Sequence, residues 1–149
     1  MQWSLKSFDE LNASELYDLL ALRNQVFVVE QQCPYQDLDG LDKEAWHLLA
    51  WQDERLVAYL RLIAPDRLMP AMVAIGRVVT AQDQRGTGLG HQLMARCLKA
   101  CQSLWPGAGL YMSAQVHLQA FYGRHGFQAR GEAYLEDDIP HIAMERSAS

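Results

Sequence analysis

A glycine-rich turn that follows a β-rich run and precedes an amphipathic segment is the feature of this chain that most restricts its fold. The run extends from Met72 to Thr80, and the turn after it contains Gly86, Gly88 and Gly90. Apolar residues then recur at helical spacing from about residue 88 to residue 103. Glycines let a backbone turn tightly and approach a ligand, and the free N–H groups and dipole of a helix N-terminus attract anions. The sequence therefore predicts a strand, an anion-binding turn and a helix in direct succession.

The spacing of this turn excludes two nucleotide-binding motifs. A P-loop needs Gly-Lys-Ser/Thr, whereas Gly88 is followed by Leu89 and Gly90. A dinucleotide fingerprint needs its third glycine three residues after the second, but the glycines of this turn are evenly spaced. The pattern that remains is Arg85-x-x-Gly88-x-Gly90 between a strand and a helix.

The rest of the chain predicts one α/β (α+β) domain over residues 1–149, with helices on the faces of a mixed sheet. Strands are predicted at about 2–8, 46–51, 55–63, 72–80, 110–114, from 127 onward and at 139–144. Helices are predicted at about 12–28, 88–103 and 117–125, and residues 30–40 read as an irregular loop or a short helical turn. Arg61 and Arg77 fall within strands, where an unpaired guanidinium is costly, so each is expected to pair with a carboxylate.

Charge and cysteine content narrow the class of partner. The net charge of −5 argues against a nucleic-acid protein and favours a cationic partner such as an amine. The three cysteines form no CxxC motif and lack further soft ligands at zinc spacing, so no metal is predicted. No apolar run is long enough for a bilayer, and the N-terminus lacks the apolar core of a signal peptide, so a cytoplasmic protein without membrane contact is expected.

Two segments resemble motifs of the GCN5-related N-acetyltransferase (GNAT) superfamily. Arg85-x-x-Gly88-x-Gly90 resembles its motif A, and the segment 121–127 resembles a later motif with a tyrosine before a Gly-Phe pair. The resemblance implies a GNAT-type mixed, mostly antiparallel sheet flanked by helices, and acetyl-CoA or another acyl-CoA as the donor. The residues that it implies for binding CoA are Val78, Val79, Thr80, Arg85, Gly86, Thr87, Gly88, Leu89, Gly90, His91, Gln115 and Tyr122.

Two other segments, 23–40 and 134–141, resemble the ElaA-type subfamily of predicted acyltransferases. The spacing Arg23-x-x-x-Phe27 is also similar to that of acyl-homoserine-lactone synthases, which share the fold. This narrower resemblance supplies a subfamily but no acceptor.

The implied reaction is the transfer of an acetyl or short acyl group to a primary amine, which must be neutral to attack. An amine with a pKa near 10.4 is neutral in only about one molecule in 10³ at pH 7, so a general base would help. The resemblance implies Tyr122 as the acid that protonates the leaving thiolate. It also implies that backbone N–H groups around Val79 stabilise the oxyanion.

The general base stays open at this stage. Some members of the superfamily carry a glutamate near the position of Leu110, which cannot act as a base. The remaining candidates are Glu30, His47, His117 and His141, of which Glu30 and His141 are preferred because they lie in the ElaA-like segments. An acceptor pocket lined by Glu30, Gln31, Tyr35 and Asp37 is expected.

Two alternatives remain beside an N-acyltransferase acting on a small molecule or peptide. One is a CoA-binding regulatory or interaction domain without turnover, which the missing strand glutamate would favour. The other is transfer from an acyl carrier protein, against which the acidic charge argues because carrier proteins are also acidic. The acceptor, the acyl length and the choice between monomer and homodimer are not determined by the sequence.

Overall fold

Seven strands form a single sheet in the order β1-β2-β3-β4-β5-β7-β6 in the computed structural model, which describes residues 1–148. The strands are β1 (Gln2–Ser7), β2 (Trp46–Gln52), β3 (Arg55–Ile63), β4 (Met72–Thr80), β5 (Gly109–Gln115), β6 (Gln128–Glu136) and β7 (Ile139–Arg146). Neighbouring strands are antiparallel except β4 and β5, which are parallel. The predicted mixed, mostly antiparallel sheet with helices on its faces is confirmed.

The helices are α1 (Ala13–Arg23), α2 (Leu89–Leu104) and the short α3 (Gln119–Gly123). A capping box starts α1, because Glu15 N–H donates to Asn12 Oδ1 (2.7 Å) and Asn12 N–H donates to Glu15 Oε1 (3.0 Å). The helix predicted to about residue 28 is α-helical only to Arg23, and residues Asn24–Glu30 continue as a π-helix. In the third predicted helix, a 3₁₀ turn (Val116–Leu118) precedes α3. None of the helices in residues 1–148 is both long and apolar enough to cross a bilayer.

The sheet separates two layers of helix. Alternation along β3 directs Leu60 and Leu62 into the main core with Leu93 and Cys97 of α2, and Tyr59 into a second core with Leu19 of α1. Leu110, near the position at which some members of the GNAT superfamily carry a glutamate, is buried in the main core. The two faces of the sheet therefore have different surroundings, and the α1 face carries most of the buried polar groups.

The sheet opens between its two parallel strands. Pairing of β4 with β5 runs only from Met72–Gly109 to Ile75–Met112. Beyond Gly76 the register between β3 and β4 shifts by one residue, and Arg77 adopts a positive φ of 54°. An extra residue of this kind bends a strand, so β4 leaves β5 and a gap separates their C-terminal halves.

Candidate active site

A cleft of about 1350 Å³ extends from this gap to both faces of the sheet. It is lined by the glycine turn, by the C-terminal halves of β4 and β5, by α3, and by the connection between α1 and β2. All the predicted CoA-binding residues line it except Thr87 and Leu89. Leu89 is buried in the core, and the exposed Thr87 bonds through its hydroxyl to Gln84 O.

The glycine turn presents free backbone amides to the cleft. Gly86 and Gly88 have φ values of +80° and +86°, which residues with a Cβ rarely adopt. The first α2 hydrogen bond runs from Gln92 N–H to Gly88 O (3.2 Å), so the amides before it lack helical partners. A Cβ on Gly90 would lie 3.3 Å from the ring of Phe121, so glycine there lets α3 approach α2 closely. The turn has the features of an anion site.

The bulge in β4 determines which amides of that strand face the gap. Ala81 N–H donates to Val57 O of β3 (2.8 Å), and Val79 pairs with β3 in the same register. Since N–H groups alternate sides along a strand, the Val79 amide faces β3 and the Thr80 amide faces the gap. Val78 lies in the bulge and pairs with neither neighbouring strand. The Thr80 amide is therefore open to a ligand and Val78 is unpaired in the bulge, whereas the Val79 amide, expected to donate to the oxyanion, is directed to β3.

Arg85 and Glu30, predicted for different roles, form an ion pair across the cleft. Arg85 Nη2 lies 3.2 Å from Glu30 Oε2 and 3.3 Å from Thr80 O. The arginine side chain is 43% exposed, so a phosphate group can compete for it. Glu30 is thereby held by a cation beside the glycine turn.

Tyr122 is buried at the centre of the cleft wall. Burial, with the neighbouring Cys97, raises the pKa of Tyr122, so the phenol keeps its proton at neutral pH. Phe127 N–H donates to Tyr122 O (3.3 Å) after Gly126, whose φ is +88°. A Cβ on Gly126 would lie 2.8 Å from Arg146 Nε, which accounts for the Gly-Phe pair after this tyrosine.

His91 and Gln115, both predicted to contact CoA, have partners of their own. His91 Nδ1 lies 2.9 Å from His125 Nε2, so one ring nitrogen donates to the other. Gln115 Nε2 donates to Gln31 Oε1 (3.4 Å) across the cleft.

His141 is a candidate base with one ring nitrogen available. Its Nδ1 lies 2.7 Å from Ile139 O, and because a carbonyl only accepts, Nδ1 is the donor. Nε2 of the neutral ring therefore has a lone pair, and it lies 3.5 Å from Glu136 Oε2. The residue is 7% exposed and lines the cleft.

The other two histidine candidates have different surroundings. His47 is fully buried, its Nε2 lies 2.9 Å from Asp42 O, and its Nδ1 accepts from the Tyr59 hydroxyl (2.6 Å). Burial lowers the pKa of His47. His47 thus has a structural position in the core, whereas His117 lines the cleft.

A polar cluster surrounds His141, and the sequence did not predict that its members lie together. The Ser113 hydroxyl bonds to the Tyr134 hydroxyl and lies 3.4 Å from Glu136 Oε1. Tyr134 stacks on His141 with ring centroids 6.4 Å apart. Burial, followed by Tyr134 and the nearby carboxylates, raises the pKa of Tyr111 to about 12. The period-two pattern of β5 was the available signal, because it sends Tyr111, Ser113 and Gln115 to one face.

Residues 31–41, called the strap below, are anchored from behind by buried arginines. Arg23 Nε donates to Asp37 (2.7 Å), and Arg61 Nη2 donates to Asp39 (2.8 Å). Although burial opposes it, the Arg61 guanidinium, with Arg77, lowers the pKa of Asp39 to about 2. Arg77 Nε lies 2.8 Å from Asp37 as an ion pair without hydrogen-bond alignment. The prediction that Arg61 and Arg77 pair with carboxylates is confirmed.

The strap also contacts the turn between β6 and β7. Tyr35 donates its hydroxyl to Asp138 Oδ2 (2.8 Å), and the Cys33 thiol lies 3.6 Å from Asp137 O. The four residues expected around the acceptor, Glu30, Gln31, Tyr35 and Asp37, all line the cleft on this side. Within residues 1–148 no three His, Cys, Asp or Glu side chains are grouped as they would be to hold a metal ion.

Comparison with known proteins gives a consistent result. The family of acetyltransferase (GNAT) domains matches residues 12–148. Protein ElaA of Escherichia coli (strain K12) is 47% identical over 149 residues, which cover 98% of this chain and 96% of that protein. The crystal structure of E. coli ElaA has a TM-score of 0.92 at 45% identity and covers 99% of this chain and all of that chain (100%).

Two further solved structures are similar. A crystal structure of an acyl-CoA N-acyltransferase from Pseudomonas aeruginosa has a TM-score of 0.93 at 54% identity and covers 99% of this chain and 100% of that chain. An aminoglycoside 6′-N-acetyltransferase complexed with coenzyme A has a TM-score of 0.72 over 97% of this chain and 96% of that chain. Its identity is 16%, so that likeness shows the fold alone.

Proposed function

The chain belongs to the family of acetyltransferase (GNAT) domains, and from that premise we propose that it transfers an acetyl or short acyl group from acyl-CoA to a primary amine. The observation that carries the proposal is the gap between β4 and β5, where an anion site, unpaired strand amides and a buried tyrosine meet in one cleft. The similar acyl-CoA N-acyltransferase from P. aeruginosa supports the same reaction class.

In this proposal the pyrophosphate of acyl-CoA binds the amides at the start of α2, where the helix dipole adds roughly half a positive charge. Arg85 exchanges Glu30 for a phosphate oxygen, because its exposed guanidinium can rotate between the two. The pantetheine arm then follows β4 through the gap. Its thioester lies beside Tyr122 and the amides of Val78 and Thr80, which take the oxyanion role expected of Val79.

The transfer needs three proton movements. The acceptor arrives as an ammonium and loses one proton to Nε2 of His141, whose lone pair is free to accept it. The neutral amine attacks the thioester carbon, a C–N bond forms, and the C–S bond breaks with its electron pair on sulfur. Tyr122 protonates that sulfur and regains a proton that the attacking nitrogen loses. Glu30 is the weaker candidate for the base because its carboxylate lies next to Arg85 of the glycine turn, at the end of the cleft assigned to the pyrophosphate.

The alternative of a CoA-binding domain without turnover draws no support from the missing glutamate. Leu110 is buried under α2, on the face opposite His141, so a glutamate there would not reach an acceptor on the strap side. The ring nitrogen of His141 supplies a base by another route.

Two measurements test the proposal. Calorimetry should show binding of acetyl-CoA, and a thiol reagent should show release of CoA that depends on an added amine, with the acetylated amine seen by mass spectrometry. A panel of lysine peptides, polyamines and small monoamines covers the acceptor classes. Binding of acetyl-CoA without amine-dependent release of CoA across this panel would favour the regulatory alternative, and an absence of binding would remove the donor assignment.

A further inference from the structure

We infer that the amino group of the acceptor binds between Nε2 of His141 and the carboxylate of Glu136, and that the acceptor is a small aliphatic amine instead of a lysine on a folded protein. This acceptor site presupposes the acyl transfer proposed above and defines its second substrate. Glu136 is assigned the role of receiving the ammonium and positioning it for His141.

The geometry of the pair suits an ammonium group. Nε2 of His141 and Oε2 of Glu136 are 3.5 Å apart, and both are acceptors when the ring is neutral. An ammonium has three N–H donors, so it can donate one to each atom and keep a third for a further partner. His141 is more than nine-tenths buried and lines the cleft, whereas the Glu136 side chain is 51% exposed. The carboxylate can therefore meet the cation first, and the imidazole lies deeper.

Neighbouring groups hold this pair in place. Ser113 Oγ lies 3.4 Å from the other oxygen of Glu136 and bonds to the Tyr134 hydroxyl. The Tyr134 ring stacks on His141, and Tyr111 lines the cleft on the same side. Neutral tyrosine rings attract cations through their faces, which adds to the preference for an ammonium.

The charge of the cleft also favours a cation. Its arginines each pair with a carboxylate, and the pairs are Arg61–Asp39, Arg77–Asp37 and Arg85–Glu30. Glu136 and Asp137 line the same cleft and have no arginine partner among residues 1–148. Since nearly all of an aliphatic amine is protonated at pH 7, the species that arrives is the ammonium.

The transfer of one proton converts the bound cation into the nucleophile. His141 Nε2 takes a proton from the ammonium, the freed electron pair of nitrogen attacks the thioester carbon, and CoA leaves with the C–S electron pair. Tyr122 protonates the sulfur and is reprotonated by the second proton that the nitrogen loses as the amide forms. The imidazolium then faces Glu136, and the unlike charges stabilise it until the proton passes to solvent.

The size of the acceptor is limited by the strap. Three contacts connect the strap to its neighbours across this end of the cleft. Tyr35 contacts Asp138 and Cys33 contacts Asp137, both in the β6–β7 turn, and Gln31 contacts Gln115 of β5. Arg23 and Arg61 anchor the strap from behind through buried ion pairs. A lysine on a protein surface would have to separate these contacts, whereas a short alkylamine fits beneath them.

The test compares Glu136→Gln with Glu132→Gln, an exposed residue of the same strand outside the cleft. Butylamine and 1,4-diaminobutane serve as acceptors. The glutamine oxygen can still accept a hydrogen bond from the ammonium, but the attraction between opposite charges is lost, so Glu136→Gln should raise the KM for amine about tenfold, with a smaller change in kcat. The Kd for acetyl-CoA should change less than twofold, Glu136→Asp should recover part of the loss, and Glu132→Gln should match wild type. An equal KM for amine in Glu136→Gln and Glu132→Gln would overturn the site.

A second readout does not need turnover. In CoA-saturated protein, butylammonium should shift the ¹⁵N resonances of the His141 ring in wild type and in Glu132→Gln, and much less in Glu136→Gln. No shift in wild type would reject the acceptor site even if acetyl transfer occurs, whereas a shift without any transfer would reject the proposed function alone. Faster acetylation of lysines on a folded protein than of butylamine would overturn the small-amine assignment.

Discussion

Replacement of Gly88 by aspartate tests whether the glycine turn binds the pyrophosphate. Gly88 has a φ of +86° at the start of α2, and a Cβ built there meets nothing within 4 Å. A new side chain would therefore enter the open space of the cleft without clashing with the protein. The positive φ costs a residue with a Cβ roughly 1–2 kcal/mol, less for Asn and Asp, which visit this region more readily.

Gly88→Asn is the matched control because it adds nearly the same shape without a charge. The difference between the two variants is therefore the repulsion between the new carboxylate and the pyrophosphate. For one pair of like charges at 4 Å this is about 1 kcal/mol in water and about 4 kcal/mol near a protein surface. Since 1.4 kcal/mol is a factor of ten, Gly88→Asp should bind acetyl-CoA about fivefold to several hundredfold more weakly than Gly88→Asn.

Calorimetry at low and high ionic strength is the assay, with thermal unfolding of both variants as the control for folding. Added salt shortens the screening length from about 30 Å at 0.01 M to about 3 Å at 1 M, so the difference between the variants should shrink. Equal affinities of the two folded variants at low salt would refute the assignment of the pyrophosphate to this turn.

Three other predictions concern the acid, the strap and acid stability. Tyr122→Phe should lower kcat by about 10²-fold or more and leave the Kd for CoA nearly unchanged, and an unaltered rate would remove Tyr122 from the chemistry. Arg23→Ala should destabilise the protein by about 3 kcal/mol in urea unfolding, because it removes a fully buried side chain and leaves Asp37 and Asp42 with one arginine partner each. Arg55→Ala, which breaks an exposed pair, should cost less than about 1 kcal/mol, and similar losses in the two variants would contradict the buried network. The pKa of Asp39 is about 2 in the folded protein against 3.8 for the free group, so this carboxylate contributes stability that is present above pH 4 and lost as the pH falls toward 2. Asp39→Asn should therefore flatten the curve of unfolding free energy against pH in that window by up to about 2 kcal/mol. An unchanged slope would show that Asp39 is not the titrating group.

Several elements of the fold and site were predictable because their signals are local. The capping box at Asn12 depends on one residue three positions away, and the glycine turn depends on backbone angles that favour glycine. The glycine after Tyr122 is of the same kind, since Gly126 has a φ of +88°. The resemblance to GNAT domains came from the glycine turn and from residues 121–127, and the resemblance to ElaA came from residues 23–40 and 134–141; both are confirmed.

Other features arise only when distant strands are placed together. The order β5-β7-β6 puts β7 between two strands that precede it in sequence, and this brings Ser113 of β5 to the His141–Glu136 pair of the β6–β7 hairpin. The sequence singled out His141 but not its neighbours, because strand order and register are set by packing of the whole sheet. The cytoplasmic location and the absence of a metal stay predictions from the sequence, which does not determine whether the protein is a monomer or a dimer.

The glycine turn shows where local and tertiary information divide. The sequence by itself determined that a strand enters an anion-binding turn and then a helix, because these depend on glycine angles and helical spacing. Only the tertiary structure decided that the Val79 amide belongs to β3, since a bulge opposite that strand changes the alternation. It also decided that Arg85 holds Glu30 from 55 positions away, because that ion pair forms only once the end of the π-helix lies against the turn.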